Sequence, residues 1–379
     1  MNKLEAEALS GVLQPLLKTL DVLAFVGRHF HPPHFAQLMA KVGGPDEELR
    51  VAHEARREAL SGLAELQEVI DVAVESTLLS FGRLRQVADG VGDLRDAYEA
   101  FGLIPDALEA LYPLAGVLPP VSAFFTTPSL RGDAALQAAL LRGDVPDNTG
   151  LMHVPDSDAG AADARDGFWL YLPETCRPGV PHPLVMALHG GSGSGRQFIW
   201  SWLRDARSHG AILVAPSSAG STWALSGDDV DTPRLLRALS FVQSEWDVDP
   251  ARLLLTGMSD GGTFTYLSGL ATDSPFTHLA PVAAAFHPML GAFVDCARVR
   301  GLPVSIVHGA LDWMFPVAMA QEAQRVLSHA GAHVNLHVIN DLSHTYPREI
   351  NKVLLDWITP AGLGEPGSPA RGSARAGAR

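Results

Sequence analysis

Only two cysteines, Cys176 and Cys296, occur among 379 residues, and neither belongs to a CxxC pair. That excludes a thiolate zinc site and a dense disulfide framework, and leaves room for one bridge at most. Positive charge is also scarce, with 28 Lys and Arg against 42 Asp and Glu and a formal net charge of -14. A protein that grips duplex nucleic acid needs clustered cations to displace counterions from phosphates, so no nucleic-acid partner is expected. Long uninterrupted apolar runs are missing too. Glu5, Glu7 and Lys18 interrupt the apolar residues of the amino end before a signal-peptide core or a span can form, and the run from Val22 to Phe30 is short and holds Arg28 and His29. No transmembrane segment is expected, and the cytoplasm is the default location. What the chain does have is an ordinary globular composition, 47% hydrophobic and 18% charged, so most of it should fold.

The length favours two domains, or one large domain with an accessory segment. Residues 1–115 read as helical. Pro45, Asp46, Glu47 and Glu48 place acidic side chains at a helix start, where they meet the positive end of the macrodipole. Beyond them Leu60, Leu63, Gln67, Ile70, Val74, Thr77, Phe81, Leu84, Ala88 and Val91 recur at spacings of three and four, the seam of a packed helix. Leu94 to Leu111 is a second amphipathic stretch that can fold back on the first. Such a helical domain would serve as a cap, a lid over a pocket, or an arm for a homodimer. Its cluster Arg28-His29-Phe30-His31-Pro32-Pro33-His34 is rich in imidazole, yet two prolines break the register and no carboxylate lies close, so no metal is expected.

Residues 116–165 are rich in Pro, Gly, Asp and Ala and read as a connector, with one short helix from Ala134 to Leu141. From 166 to 360 the pattern changes to short apolar runs alternating with helical stretches. The runs are Phe168 to Leu172, Leu184 to Leu188, Ile212 to Ala215, Leu253 to Thr256, Val282 to Phe286, Val304 to Val307 and Val334 to Ile339. Near-continuous apolar strands separated by helices imply an α/β fold, a mostly parallel sheet covered on both faces. Residues 361–379 carry no large apolar residue except Leu363 and should be a disordered tail.

The strongest chemical signal is Gly257-Met258-Ser259-Asp260-Gly261, which follows the apolar run Leu253 to Leu255 and precedes a helical stretch from Thr263 to Leu270. A serine on a tight strand-to-helix turn stands above the sheet, and glycines on either side remove the Cβ atoms that would collide there. The same turn aims the backbone N–H of Asp260 at a carbonyl oxygen gaining charge. A second strand, Leu184 to Leu188, runs into His189-Gly190-Gly191-Ser192-Gly193-Ser194-Gly195. This loop lacks the Gly-Lys-Ser/Thr end of a phosphate loop, so a nucleotide is the weaker reading, and it better supplies a second N–H from Gly191 or Ser192. His189, which precedes the turn, reads as structural.

A serine hydroxyl needs a base, and an imidazole needs an acceptor to fix its tautomer. Asp312 lies just beyond the run Val304 to Val307, and His344 lies beyond Val334 to Ile339, giving the order Ser, Asp, His. His287 comes before Asp312 and breaks that order. Asp341 sits only three residues before His344, whereas an orienting carboxylate usually comes from another loop. His308 reads as a support for its turn. Trp223, His287, Trp313 and Met314 are candidate pocket residues, although aromatics near strand ends are as often core.

With these motifs the stretch from about Asp166 to Pro360 resembles the esterase branch of the α/β-hydrolase superfamily, near bacterial carboxylesterase/phospholipase-like and polyhydroxybutyrate-depolymerase-like enzymes. Val248-Asp249-Pro250-Ala251-Arg252 is similar to the lead-in those esterases carry before the nucleophile, His189-Gly190-Gly191 to their oxyanion loop, and His308-Gly309 with Asp312 and Pro316 to their acid loop. The resemblance implies a carboxylic-ester hydrolase that works through an acyl-enzyme, with Ser259, His344 and Asp312 as triad, a small ester as substrate and no cofactor. A peptidase or acyltransferase on the same triad, or an idle scaffold assembled through the helical domain, are the alternatives. Asp260 departs from the small or neutral residue that many relatives carry there, and residues 1–115 lie outside the resemblance.

Overall fold

The computed structural model describes residues 3–56, 58–60, 62–141, 149–156, 167–287 and 295–359. The tail expected at 361–379 lies outside the described residues.

The first part is a stack of helices: α1 (Lys3–Arg28), α2 (Phe35–Val42), α3 (Pro45–Arg56), α4 (Ala64–Ala88), α5 (Leu94–Phe101), α6 (Ile104–Leu111), α7 (Pro119–Phe124) and α8 (Ala134–Leu140). Local chemistry sets their ends. The first turn of α3 carries Asp46, Glu47 and Glu48, and Asp93 forms a capping box with Asp96 at the start of α5. The seam of α4 buries Ile70, Val74, Thr77, Phe81 and Leu84. Its polar member is satisfied locally, because the Thr77 hydroxyl donates to the Ala73 carbonyl at 2.6 Å. Helix α1 is long and apolar enough to cross a membrane by length and composition. In this fold its apolar stripe, including Leu9, Val12, Leu13, Leu16, Leu20, Leu23 and Val26, is buried.

The second part is one eight-stranded sheet in the order β1-β2-β4-β3-β5-β6-β7-β8. Its strands are β1 (Gly150–Val154), β2 (Phe168–Leu172), β3 (His182–Leu188), β4 (Ile212–Pro216), β5 (Val248–Met258), β6 (His278–Val282), β7 (Pro303–Gly309) and β8 (His333–Ile339). Only β2 runs antiparallel to its neighbours β1 and β4, and the remaining pairs are parallel. This is the α/β-hydrolase architecture. Among the described residues the second part also holds helices α9 (Gly195–Phe198), α10 (Leu203–His209), α11 (Thr232–Glu245), α12 (Asp260–Gly269), α13 (Cys296–Val299), α14 (Val317–His329) and α15 (Ile350–Ile358).

Three expectations change, the first being that Pro119–Phe124, inside the stretch read as a connector with one short helix, is a second helix, α7, with Val121, Ser122 and Phe124 buried. Gly150–Val154, read as connector, is the first strand of the sheet; it is only five residues long and half-buried, without the alternation that would mark it. The run Val282 to Phe286 is not the sixth strand, which ends where that run begins. Pro281 lies inside β6, opposite Gly257, and the chain turns at Ala283 with φ 47°, so the apolar run is an end and a turn rather than a strand.

Alternation along the strands divides the core. Leu184, Met186 and Leu188 of β3 face one cluster with Leu235 and Leu239 of α11, Phe264 of α12 and Leu327 of α14. Val185 and Ala187 face the other, with Leu203 of α10, Leu354 of α15 and the apolar stripes of α1, α4 and α6. The helical part and one face of the sheet thus share a single apolar cluster. A buried ionic network reinforces the seam: Arg207 of α10 donates to Glu174 at 2.8 Å and to the Ser122 carbonyl of α7 at 3.0 Å. Tyr171 and Tyr112 also donate to Glu174, so this buried carboxylate has its acceptors filled. Cys176 and Cys296 are both free.

Candidate active site

Ser259 stands between β5 and α12 with φ 56° and ψ -118°, a region that non-glycine residues occupy only when their surroundings enforce it. Its N–H donates to the Val282 carbonyl of the neighbouring strand at 2.9 Å, and its own carbonyl accepts from Thr263 at 2.8 Å. The glycines around it have no room for a side chain. A Cβ on Gly257 would run into the Gly261 backbone, one on Gly261 would lie 2.6 Å from the Leu188 carbonyl oxygen, and one on Gly262 would lie 2.8 Å from that of Val282. Serine often caps a helix with its own hydroxyl. Ser259, at the N-cap of α12, makes no such bond.

The hydroxyl is engaged elsewhere. His344 Nε2 lies 3.0 Å from Ser259 Oγ, and His344 Nδ1 lies 2.9 Å from Asp312 Oδ2. An ionised carboxylate only accepts, so Nδ1 carries the proton and Nε2 presents its lone pair to the hydroxyl. Asp312, on the loop after β7, also accepts from the amides of Met314 and Phe315 at 2.9 and 2.8 Å. Burial pushes its carboxyl up, but the hydrogen bond from His344 and those two amides outweigh burial and hold it below the usual carboxylate range. Sign follows from direction: what Asp312 adds to stability is full above the ordinary carboxylate range and is lost as pH falls through its lowered value. Phe315 meets the His344 ring edge-on, with centroids 5.3 Å apart. All three side chains of the Ser259–His344–Asp312 chain are shielded from solvent.

The loop after β3 lies beside the serine, since a Cβ on Gly190 would come within 3.6 Å of Ser259 Cβ. Of the expected backbone donors, neither the Gly191 amide nor the Asp260 amide donates a hydrogen bond among the described residues. Ser192 does, and this corrects its assignment: its N–H donates to the Ser221 carbonyl at 2.8 Å. The left-handed backbone at Ser192, φ 59°, turns that amide toward the 217–223 segment. The Asp260 carboxylate is tied to the same segment through a hydrogen bond from Thr222, 2.5 Å.

His189 is structural, as read from sequence. Its Nε2 accepts from the Ser218 amide at 3.0 Å, so its Nδ1 donates to the Gly190 carbonyl at 2.7 Å. Trp223 is a correction, because it is buried, stacks on Phe264 at 5.3 Å and donates to the His189 carbonyl at 2.7 Å. It braces the loop instead of lining an opening. Trp313 and Met314 are about half exposed, and the Trp313 ring is 6.4 Å from that of His344. His287 is exposed, and the carboxylate that meets His344 is followed in sequence by that histidine, not by His287. Asp341 pairs with Arg28 at 3.1 Å and lies 3.7 Å from the His29 ring, while His344 takes Asp312 as its carboxylate. His308 donates to the Phe315 carbonyl at 2.8 Å and so braces the acid loop.

Several neighbours of the site carry no signal in the sequence. The His31 ring lies 3.1 Å from the Ser343 hydroxyl, and the Thr345 hydroxyl donates to the Arg28 carbonyl at 3.0 Å. Burial, and then the charge of Asp312, push the Tyr98 phenol up. Among the described residues no group of three or more His, Cys, Asp or Glu could hold a metal ion.

No family profile matches the chain. The bifunctional acetylxylan esterase/xylanase XynS20E of Neocallimastix patriciarum is 30% identical over 149 residues, 38% of this chain and 21% of that protein. The chain therefore spans about a fifth of that relative's length. Among solved structures, a thermostable esterase is 17% identical with TM-score 0.44 over 57% of this chain and 63% of the other. Esterase PE8 is 22% identical with TM-score 0.40 over 50% and 96%. The fluorophosphonate-binding serine hydrolase FphF of Staphylococcus aureus is 16% identical with TM-score 0.42 over 50% and 91%.

Proposed function

We propose that the protein is a serine hydrolase that cleaves carboxylic esters by way of an acyl-enzyme. One observation carries this reading: a single imidazole bridges the hydroxyl of a strained elbow serine and a buried carboxylate, at 3.0 and 2.9 Å. In the first step Ser259 Oγ bonds to the ester carbonyl carbon while its proton passes to His344 Nε2. Asp312 stabilises the imidazolium, and the amides of Asp260 and Gly191 take the charge that develops on the carbonyl oxygen. Collapse breaks the bond to the alcohol, which leaves with the proton from His344. Water then repeats the sequence on the acyl-enzyme, with His344 again as base, and releases the acid.

Neutral esters suit the site best, because the Asp260 carboxylate beside Gly191 repels an anionic acyl group. A short acyl chain is the first to test, acetyl being the group named for the curated relative. Ser259→Ala should lower turnover of p-nitrophenyl acetate by about a thousandfold or more. It should also abolish labelling by a fluorophosphonate probe while circular dichroism stays unchanged. Turnover or labelling that survives in this variant would refute the reading.

A further inference from the structure

The loop that carries His344, between β8 and α15, is held by residues from the beginning of the chain. Arg28, at the last turn of α1, reaches Asp341 with Nη2 at 3.1 Å and Glu349 with Nε at 2.5 Å. Its guanidinium therefore staples together two points of the loop that lie on either side of the imidazole. The backbone carbonyl of the same residue, one of those a helix C-terminus leaves unsatisfied, accepts the Thr345 hydroxyl at 3.0 Å. His31, just beyond α1, meets the Ser343 hydroxyl at 3.1 Å. Both immediate neighbours of His344 are thus pinned by a four-residue stretch of the helical part. The Arg28 side chain is 14% exposed while its partners Asp341 and Glu349 are 66% and 52% exposed, so the tie acts through its two-point geometry more than through charge. A second tie runs to the other side of the serine. Arg196 of α9, which opens directly after the Gly190–Gly195 loop, pairs with Asp106 at 2.8 Å and Glu109 at 2.7 Å, both from α6.

We infer that Arg28, assisted by His31, is a positioning residue for the proposed base, and that the helical part completes the active site instead of acting as a removable lid. This rests on the reading of His344 as the base of Ser259. An imidazole set 3.0 Å from its hydroxyl has little latitude, because displacement by about 1 Å can cost a hundredfold in rate. The residues that fix it carry substrate-independent geometry, so their loss falls on kcat and leaves KM nearly alone.

The experiment measures kcat and KM separately with p-nitrophenyl acetate, well below each variant's melting temperature. Arg28→Ala should lower kcat by about 10- to 100-fold with KM within about twofold. Arg28→Lys, which keeps the charge and one contact but loses the fork, should recover part of that loss. Thr345→Val, which removes only the cap on α1, gives a second measure should Arg28→Ala fail to fold, and should lower kcat in the same direction. Arg85→Ala breaks the Arg85–Asp46 pair within the helical part and should leave kcat unchanged. Folded Arg28→Ala and Thr345→Val proteins with wild-type kcat would overturn the inference, as would equal losses in the Arg28→Ala and Arg85→Ala proteins. If Ser259→Ala is inactive while Arg28→Ala is not, only this inference falls; an active Ser259→Ala removes the reading beneath it.

Discussion

The helical part and the sheet carry information in different ways. In the sheet, chemistry is written in short local words: a glycine-flanked serine after one strand, a glycine loop after another, and an aspartate and a histidine after two more. In the helices, no local stretch signals a site, yet Arg28 and His31 touch the loop of His344. The difference teaches that a segment without a motif can still touch a candidate site, through pairings that only folding creates. It also bears on glycine, whose role reverses between the two parts.

The largest effect expected from a single methyl group is at the elbow. Gly261→Ala places a Cβ against the Leu188 and His189 carbonyls and should cost roughly 4 kcal/mol or more, read as loss of folded protein or a collapsed melting temperature. Next comes the shared core. Leu20 of α1 and Leu254 of β5 belong to the same buried cluster, so Leu20→Ala should cost about 2–5 kcal/mol and lower one common transition. All seven tryptophans lie between 169 and 357, so their fluorescence follows the sheet part, while far-ultraviolet circular dichroism follows both. Coincident curves from the two probes are expected, and a separate early transition seen only by dichroism would break the claim of a shared core. The smallest effect should have the opposite sign. Gly82 lies within α4, and a Cβ there would meet nothing within 4 Å, so Gly82→Ala should stabilise by about 0.5–1 kcal/mol in chemical denaturation.

Much of this was legible before any coordinates. The alternation of apolar runs and helices implies the parallel sheet, because strands covered on both faces need apolar residues at nearly every position. Ser259, Asp312 and His344 could be named because each follows a strand and their order along the chain is informative. What was not legible has physical reasons. Ser192 has a plausible N–H by position, but whether the amide is free depends on a turn at φ 59° and on the Ser221 carbonyl, which no spacing reveals. Trp223 reads equally as pocket or core until its indole finds the His189 carbonyl. β1 is half-buried and short, and its antiparallel partner β2 lies beyond a polar stretch that masks the pairing. The His29–His34 cluster is conspicuous in the sequence for its imidazoles, whereas what His31 makes in the fold is a hydrogen bond to Ser343 more than three hundred residues away.

The cap that Thr345 places on α1 joins positions 317 residues apart. Closing so long a loop carries an entropic cost that local contacts do not. Synthesis delivers α1 before the histidine loop, so under the proposed mechanism the hydroxyl of Ser259 has no base until that loop has emerged. On the same reading, a nascent chain halted ahead of Thr345 leaves the end of α1 uncapped and the loop of His344 untethered.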